Sequence, residues 1–395
     1  MEGIPMKTVS LVCVGIGGYG EVLLNDLLAN AESRHIELRA AVEPYPDSCR
    51  LTPELQRRGI PLYPSLEDFY AAGGKADIAL IATPIAFHTR HILCALAGGS
   101  NVVCEKPLCA DQNDIDTLIA ARDKAGKFVH IGYQWSHAAA IETLKNDIMA
   151  GRFGAPQLLK TLVLWPRNAD YFKRGTGWAG KLRTASGELV YDSIANNAAA
   201  HYLHNMFYLL GERINTALAP TDFQARLLRA NRIENFDTAD IICRFENGAA
   251  ARFIASHATD RNLNPLFDYA FEKGRVLYSQ DAVPTEIPNA NLYQPGVIRA
   301  IMADGTEKVY GDPFDGVCRK VHLAAARVRA EADGYERCGI ETASVHTRFI
   351  NRLQETCTIE DFPAEQIVVN GKNTYVTGLY EKMLALYADD GAPLL

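Results

Sequence analysis

TVSLVCVGIGGYG, residues 8–20, is the stretch that decides the fold at the start of this chain. Its first seven residues are mostly apolar and predict a short buried strand, and the residues that follow it repeat apolar side chains at helical spacing. Between strand and helix, Gly15, Gly17 and Gly20 have the spacing G-x-G-x-x-G. In that context the glycines permit a tight turn, the approach of a pyrophosphate to the backbone, and close packing of the helix on the strand. The stretch therefore predicts a dinucleotide-binding unit with phosphates at the helix N-terminus.

An acidic residue follows the second predicted strand. Residues 36–42 are the strand, and Glu43 comes 23 residues after Gly20. A carboxylate near this spacing accepts a hydrogen bond from a ribose hydroxyl and repels a 2′-phosphate. The sequence therefore favours NAD over NADP. Arg50 is the nearest cation that would welcome a 2′-phosphate, and it is the weaker indication.

Length and composition limit the classes of protein to consider. The 395 residues, 48% of them hydrophobic, predict two domains with full-sized cores. A net charge of −7 and a pI near 5.8 argue against nucleic-acid and anionic-membrane partners. No apolar run is long enough to span a membrane, and the N-terminus does not have the pattern of a signal peptide. Nine scattered cysteines without a C-x-x-C pair predict a reducing, cytoplasmic setting and no metal site.

The first 130 residues or so alternate short strands and helices, which predicts a doubly wound parallel sheet. Ligands of such sheets bind at the carboxyl ends of the strands. Gly15, Glu43, Thr83 and Lys106 each follow a predicted strand, so we expect them to converge.

After Gly132 the pattern changes. Helices are followed by strands whose turns contain Asn247-Gly248, Lys273-Gly274 and Asp304-Gly305, and such turns are typical of hairpins. We therefore predict an α/β protein with a Rossmann domain over residues 1–132 and an α+β domain over residues 133–395. The second domain is expected to bind substrate and to hold an open, largely antiparallel sheet with helices on one face. The last predicted helix, residues 375–388, is a candidate to pack back on the first domain.

Lys106 lies in the tripeptide E-K-P at the end of a predicted strand. The proline holds the preceding backbone extended beside the position expected for the nicotinamide. Burial or a neighbouring cation would bring the lysine into the range for acid–base work. Taken alone, a tripeptide favours the simpler interpretation, a surface lysine at a turn.

Asn197, His201 and His204 are spaced i, i+4 and i+7 on a helix predicted over residues 195–210. They would form one polar line, with Asp192 or Ser193 as the N-cap. Histidines at helical spacing also bind metals, but no acidic residue lies on the same line, so no metal is predicted. A buried, hydrogen-bonded histidine is the alternative interpretation of His204.

An aromatic, glycine-rich loop covers residues 166–187. Aromatic faces stack on sugar rings, while Arg and Lys donate to hydroxyls or carboxylates. An ordinary loop between domains would also explain these residues. The side chains concerned are Trp165, Arg167, Tyr171, Arg174, Trp178 and Lys181.

Taken in order, these features resemble the Gfo/Idh/MocA oxidoreductases over nearly the whole chain. The matching pieces are VGIGGYG at 14–20, ATPIAFH at 82–88, NVVCEKPL at 101–108, IGYQ at 131–134, HYLHNMFYLLG at 201–211, FDTA at 236–239 and FENGAAA at 245–251. The resemblance implies a bound nicotinamide cofactor, a sugar or cyclitol substrate, and a C-terminal sheet that often builds a homodimer or homotetramer.

The resemblance also implies roles for individual residues. Lys106 and His201 would be catalytic, with His201 as the base and Lys106 on the reacting oxygen. The substrate would be bound by Tyr133, Arg167, Trp178, Lys181, Asn197 and His204. The cofactor would be bound by Gly15, Ile16, Gly17, Gly18, Tyr19, Gly20, Glu43, Thr83, Pro84, His88, Glu105, Lys106 and Gln134. One departure stands out: Asn197 occupies the position of the family's aspartate, and His204 that of a second one.

Three functions are consistent with these residues. The first is an NAD-dependent dehydrogenase of a secondary hydroxyl on a sugar or cyclitol. The second keeps NAD tightly bound and uses transient oxidation for a redox-neutral reaction, such as glycoside cleavage or epimerisation, and Asn197 keeps this alternative open. The third is a non-catalytic sugar sensor, against which the presence of Lys106 and His201 argues.

Overall fold

The structure is a computed structural model that describes residues 6–175, 177–314, 316 and 318–395. It divides into two compact units. The first extends to His137 and also includes Gly316–Ser344, and the second holds the rest of the chain from Ala138 onward.

The first unit is built on a six-stranded sheet. Its strands are β1 (Val9–Val14), β2 (Ile36–Val42), β3 (Leu62–Tyr63), β4 (Ile78–Ile81), β5 (Asn101–Glu105) and β6 (Val129–Gly132). Its first helices are α1 (Tyr19–Asn30), α2 (Thr52–Arg57), α3 (Leu66–Ala71), α4 (His88–Ala97) and α5 (Asp114–Ala125). All strands are parallel in the order β3-β2-β1-β4-β5-β6, which confirms the predicted doubly wound sheet. The order reverses between β1 and β4, where such folds bind their ligands.

The second unit is built on a nine-stranded sheet. Its longer strands are β7 (Pro156–Leu164), β8 (Asp222–Arg229), β9 (Thr238–Arg244), β10 (Ala250–Ser256), β11 (Leu263–Phe271), β12 (Gly274–Ser279), β13 (Ile298–Met302) and β14 (Glu307–Gly311). Its helices up to this point are α6 (Ala139–Met149), α7 (Ala169–Phe172) and α8 (Ala200–Leu209). The chain ends with α9 (Arg319–Val328), α10 (Ile340–Thr356), β15 (Ile359–Asp361), β16 (Ile367–Asn370), β17 (Asn373–Val376) and α11 (Leu379–Ala388).

The nine-stranded sheet has the order β14-β13-β12-β11-β7-β10-β9-β8-β15. Most neighbours are antiparallel, while β7 with β10 and β8 with β15 are parallel. The largely antiparallel sheet was predicted, and two of its hairpins turn at the expected dipeptides. The third turns at Glu272-Lys273, one residue before the predicted Lys273-Gly274, because Gly274 already pairs with Phe271. Gly248 and Gly305 have φ of 82° and 83°, in the left-handed region that glycine adopts at little cost.

Helices pack on both faces of this sheet, whereas the sequence predicted one face. Adjacent residues of a strand point to opposite faces. Thr161 of β7 contacts Tyr269, which in turn accepts from Asn205 of α8, whereas the Lys160 ammonium donates to the Tyr387 carbonyl in α11. The last helix therefore belongs to the second unit, and it begins at Leu379 because residues 373–376 form β17.

The division into units also differs from the predicted boundaries, because the segment with α9 returns to the first unit. Cys318, Val321, Ala324 and Ala325 are buried in the same apolar cluster as β1, β4 and β5. Apolar burial on the parallel sheet draws this segment to the first unit, although it lies almost 200 residues beyond β6 in the chain. No helix among the described residues is long and apolar enough to cross a membrane.

Candidate functional site

The glycines of the first loop have different surroundings. Gly15 has φ of 81°, and an added Cβ would lie 3.0 Å from the backbone of Ala82. A Cβ on Gly20 would collide with the Gly15 carbonyl. At Gly17 the closest atom would be the Cys49 sulfur, 3.6 Å away, which is ordinary contact, and the φ of Gly17 is not positive. The fold therefore requires Gly15 and Gly20, while Gly17 leaves open space where a pyrophosphate fits.

Glu43 lies beside this loop. Its carboxylate accepts from the backbone N–H of Ile16 at 3.3 Å and from that of Tyr45 at 3.1 Å. The loop thus holds the acidic group at the end of β2, where a ribose hydroxyl would be recognised. Arg50 forms an ion pair with Glu21 instead, and its side chain is 82% exposed. These contacts fit NAD.

Other predicted cofactor residues collect at the same edge of the first sheet. Tyr19 follows Gly18 in the loop, and its hydroxyl donates to the Gln134 side chain at 3.2 Å. Thr83 follows β4, and its hydroxyl lies 3.1 Å from Nδ1 of His91. Lys106 is half-buried directly after β5. Because β1, β4 and β5 are neighbours, the structure brings Gly15, Thr83 and Lys106 to one edge.

His88 is a buried connection between strand ends rather than an exposed ligand. Its Nδ1 lies 2.7 Å from the Pro107 carbonyl and its Nε2 2.9 Å from the Thr83 carbonyl. Pro84 precedes the short 3₁₀ turn Ile85–Phe87 that leads to it. Burial lowers the pKa of the His88 imidazole. The side chain predicted to bind cofactor instead joins the end of β4 to the residue after Lys106.

Two further predicted residues are buried. The Glu105 carboxylate forms an ion pair with the ammonium of Lys320, and both are removed from solvent. Tyr133 exposes no surface, and burial raises its pKa well above the ordinary value. Little of the Glu105 side chain and none of the Tyr133 side chain is exposed, and their predicted contacts with cofactor and substrate stay predictions. Lys320 was missed because it lies on α9, far away in the chain.

In the second unit the predicted helix over residues 195–210 is divided. Ile194–Ala198 is a π-helix, and α8 begins only at Ala200. Asn197 and His201 are half-buried, so each retains some accessible surface. His204 is 1% exposed, and its ring stacks on Tyr208 with centroids 6.0 Å apart. The change of helical period lies between Asn197 and His201, and His204 is buried because α8 is buried at every residue except His201. The core-histidine interpretation describes the surroundings of His204.

A buried carboxylate precedes the π-helix. Asp192 accepts from the Gly180 N–H at 2.6 Å and from the Asn197 amide at 2.7 Å. The capping role falls to Ser193, whose hydroxyl accepts from the Asn196 N–H at 3.2 Å. Tyr191, just before Asp192, has φ of 46°, a conformation that is costly for a bulky residue and that clusters at functional sites. The sequence indicated Asp192 only as an alternative cap.

The aromatic loop is held together by cation–π contacts. The Arg174 guanidinium lies 3.6 Å from the Tyr171 ring centre and 4.8 Å from that of Trp178. The Arg167 guanidinium lies 5.0 Å from Tyr171 and 5.4 Å from Trp165. This loop connects to the buried carboxylate, because the carbonyl of Lys181 accepts from the Asp192 N–H at 2.9 Å. The described residues contain no group of three His, Cys, Asp or Glu side chains that could hold a metal ion.

Two family models match this chain. Residues 9–133 match the family model described as an oxidoreductase family with an NAD-binding Rossmann fold, and residues 141–277 match the GFO/IDH/MocA C-terminal domain. The two models together cover well over half of the chain.

Among curated proteins, one relative is a 1-carboxy-3-chloro-3,4-dihydroxycyclohexa-1,5-diene dehydrogenase of Comamonas testosteroni. It is 24% identical over 69% of this chain. The chain covers 65% of that protein's length, which is less than two thirds. Inositol 2-dehydrogenase 3 of Saccharopolyspora erythraea is 23% identical over 69% of this chain and 76% of its own.

Among solved structures, the WlbA dehydrogenase of Bordetella pertussis in complex with NADH and UDP-GlcNAcA has the same fold. It superposes with a TM-score of 0.68 at 20% identity, over 89% of this chain and 96% of that one. Two family models in their expected order, on the parallel sheet and the largely antiparallel sheet described above, agree with the resemblance in the sequence. The chain belongs to the Gfo/Idh/MocA family of oxidoreductases and has its NAD-binding Rossmann fold.

Proposed function

We propose that this protein is an NAD-dependent dehydrogenase that oxidises a secondary hydroxyl of a sugar or cyclitol. The names of two relatives support this substrate class, since one acts on a dihydroxycyclohexadiene and the other is an inositol 2-dehydrogenase. The observation that carries the proposal is the pairing of half-buried Asn197 with buried Asp192, one helical turn before half-buried His201. These polar groups lie at and just before the start of α8, and Asn197 and His201 are partly accessible although the rest of α8 is buried.

The proposed roles follow from the chemistry of each group. The glycine loop and Glu43 would hold NAD, which would supply the hydride acceptor for the oxidation of the carbinol carbon. His201 accepts the hydroxyl proton as general base, and Lys106 donates to the same oxygen and stabilises its developing charge. Asn197, Lys181 and Trp178 contact the remaining hydroxyls and the ring. His88 and Lys320 act at a distance, by fixing the backbone around Glu105 and Lys106.

Asp192 supplies a carboxylate next to Asn197, the position where the family has an aspartate. An asparagine cannot carry the negative charge that the family's aspartate supplies. Asp192 lies 2.7 Å from the Asn197 amide, so a carboxylate is still present next to this position. This contact favours the dehydrogenase over the redox-neutral alternative, which rested on the loss of that charge.

The cofactor is the first test. Protein as purified is denatured and assayed for released NAD(H), and native protein is then given NAD⁺ and a panel of sugars and cyclitols while absorbance at 340 nm is followed. We expect steady NADH formation with at least one alcohol. His201→Ala and Lys106→Met should each lower kcat by about 10² to 10⁴. His35→Asn, at an exposed histidine, is the control and should leave the rate unchanged.

Other outcomes of this test would favour one of the other two functions or contradict cofactor binding. Tightly held NAD(H) with no net NADH from any alcohol would favour redox-neutral chemistry, and cofactor binding without any turnover would favour a sensor. Failure to bind NAD(H) would contradict the interpretation of the glycine loop and Glu43.

We further propose a cytoplasmic homodimer or homotetramer that assembles through the C-terminal sheet. The nine cysteines are free thiols, which supports a reducing compartment.

A further inference from the structure

The aromatic loop carries a charge opposite to that of the chain. Between residues 166 and 187 there are five Lys and Arg side chains and one Asp, although the whole chain has a net charge of −7. That one carboxylate, Asp170, lies 2.6 Å from the Lys372 ammonium. The loop is therefore a basic segment in an acidic protein.

Two of its cations lack the carboxylate partner that two arginines of the adjoining sheet have. Arg252 pairs with Asp240, and Arg275 pairs with Asp268. Within the described part of the chain, neither Arg167 nor Arg174 has a carboxylate at ion-pair distance. Their recorded hydrogen bonds go to backbone carbonyls, at 3.4 Å from Arg167 and at 2.8 Å from Arg174.

One hydrogen-bond donor of Arg167, its Nε, is buried and has no acceptor among the described residues. A buried donor without an acceptor is costly, and a guanidinium stacked on an aromatic ring presents its N–H edge outward. That edge matches the two oxygens of a carboxylate or phosphate.

The neighbouring titratable groups leave the positive charge in place. His257, whose ring lies 5.6 Å from that of Tyr171, has its pKa lowered to about 3 by burial and by Arg167, so it is neutral. Burial, and then the charge of Asp192, raises the pKa of Tyr171, so that phenol is neutral as well. Asp192 is the nearby carboxylate, and it already accepts from Gly180 and Asn197.

We propose that the substrate carries an oxyanion, the carboxylate of a sugar acid or the phosphate of a sugar phosphate, and that Arg167 binds it with Arg174 beside it. This inference rests on the proposed function and narrows its substrate class. Trp165, Tyr171 and Trp178 hold the guanidinium planes, so the anion meets donors that are already oriented. A neutral sugar of the same ring would offer the guanidinium only uncharged hydroxyl oxygens, which are weaker acceptors than the paired oxygens of an oxyanion.

The test compares matched ligands on the NAD⁺-saturated protein by titration calorimetry. The probes are a hexose, its hexuronate and its 6-phosphate in the gluco, galacto and manno series. At least one anionic member should bind about 10- to 100-fold more tightly than its neutral partner. Arg167→Gln should remove that preference without weakening the neutral sugar, and Arg167→Lys should retain part of it.

Arg183→Gln is the control, because Arg183 is an exposed cation of the same loop that donates to the Gly187 carbonyl. Tighter binding of the hexuronate would indicate a substrate carboxylate, and tighter binding of the 6-phosphate would indicate a substrate phosphate. The inference is overturned if no anion in any series binds better than its neutral partner, or if Arg183→Gln loses as much affinity as Arg167→Gln. NADH formation from a neutral alcohol with no such preference would count against this inference alone, whereas absence of NAD binding would count against the proposed function.

Discussion

Gly17 and Gly20 are three residues apart in one loop, yet an added methyl group would meet different surroundings. At Gly20 it would collide with the Gly15 carbonyl, and backbone cannot move aside as a flexible side chain can. At Gly17 it would meet only a sulfur at normal contact distance, and the backbone there suits any residue. Gly20 therefore serves the fold, and we expect Gly17 to leave room for the cofactor.

Alanine substitutions should separate these two roles. Gly20→Ala is expected to lower the free energy of unfolding by about 3 kcal/mol, through overpacking of helix against loop. Gly17→Ala should change it by no more than about 1 kcal/mol. The same Gly17 variant should bind NAD at least about tenfold more weakly, because its methyl group occupies the space of the pyrophosphate. Thermal unfolding and calorimetric NAD titration measure both effects, and a Gly17 variant with unchanged NAD affinity would contradict this interpretation.

The spacing of residues predicted the strand, the glycine turn and the helix that the structure shows, since these are consecutive in the chain. Glu43 was predicted for the same reason, because it ends the neighbouring strand. His88 and Tyr133 were predicted as ligand contacts, and both are buried. Whether a side chain points to a ligand or into the core depends on packing with distant elements, and spacing does not contain that information.

At the scale of elements, the π-helix Ile194–Ala198 changes which residues share a face. A regular helix over residues 195–210 would place Asn197, His201 and His204 in one line. The wider π turn changes the angular position of Asn197 relative to His201. His201 and His204 both lie in the regular helix α8, whose residues other than His201 are all buried, so His204 is in the core beside Tyr208. Short π segments occur mostly within α-helices and frequently at functional sites, and hydrophobic periodicity alone does not distinguish them from an α-helix.

Asp192 and Ser193 are neighbours that allow the site and the helix start to be tested separately. Asp192→Asn removes the charge next to Asn197 but keeps an oxygen that can accept from Gly180. It should lower kcat about 10- to 100-fold, as the loss of a charge-assisted hydrogen bond does, and change the pH dependence of kcat. Ser193→Ala should instead lower stability by about 1 kcal/mol and leave kcat and its pH profile unchanged.

The measurements are initial rates between pH 5 and 10, on the alcohol that supports NADH formation, together with thermal unfolding. If Asp192→Asn only lowered the melting temperature and kept the normal pH profile, its role would be structural.

At the scale of the whole molecule, the first unit is not continuous in sequence. Alternation of strands and helices located its sheet, but no local pattern indicates that α9 completes it from residues 319–328. Val321, Ala324 and Ala325 are each no more than 1% exposed within the core of the parallel sheet. Lys320 forms its buried ion pair with Glu105, next to Lys106. The segment thus contributes both apolar burial and the counter-charge of a group at the cofactor edge.

This arrangement predicts that residues 1–137 do not fold stably alone. Removing α9 exposes apolar surface worth several kcal/mol and removes the ammonium that pairs with the Glu105 carboxylate. The loss is comparable with the whole stability of a typical domain, about 5–15 kcal/mol. We expect the fragment to lack a cooperative thermal transition and to bind no NAD. The matched control joins residues 316–344 to it through a flexible Gly/Ser linker, and this chain should regain both properties. Cooperative melting and NAD binding by residues 1–137 alone would mean that α9 covers the sheet without being needed for it.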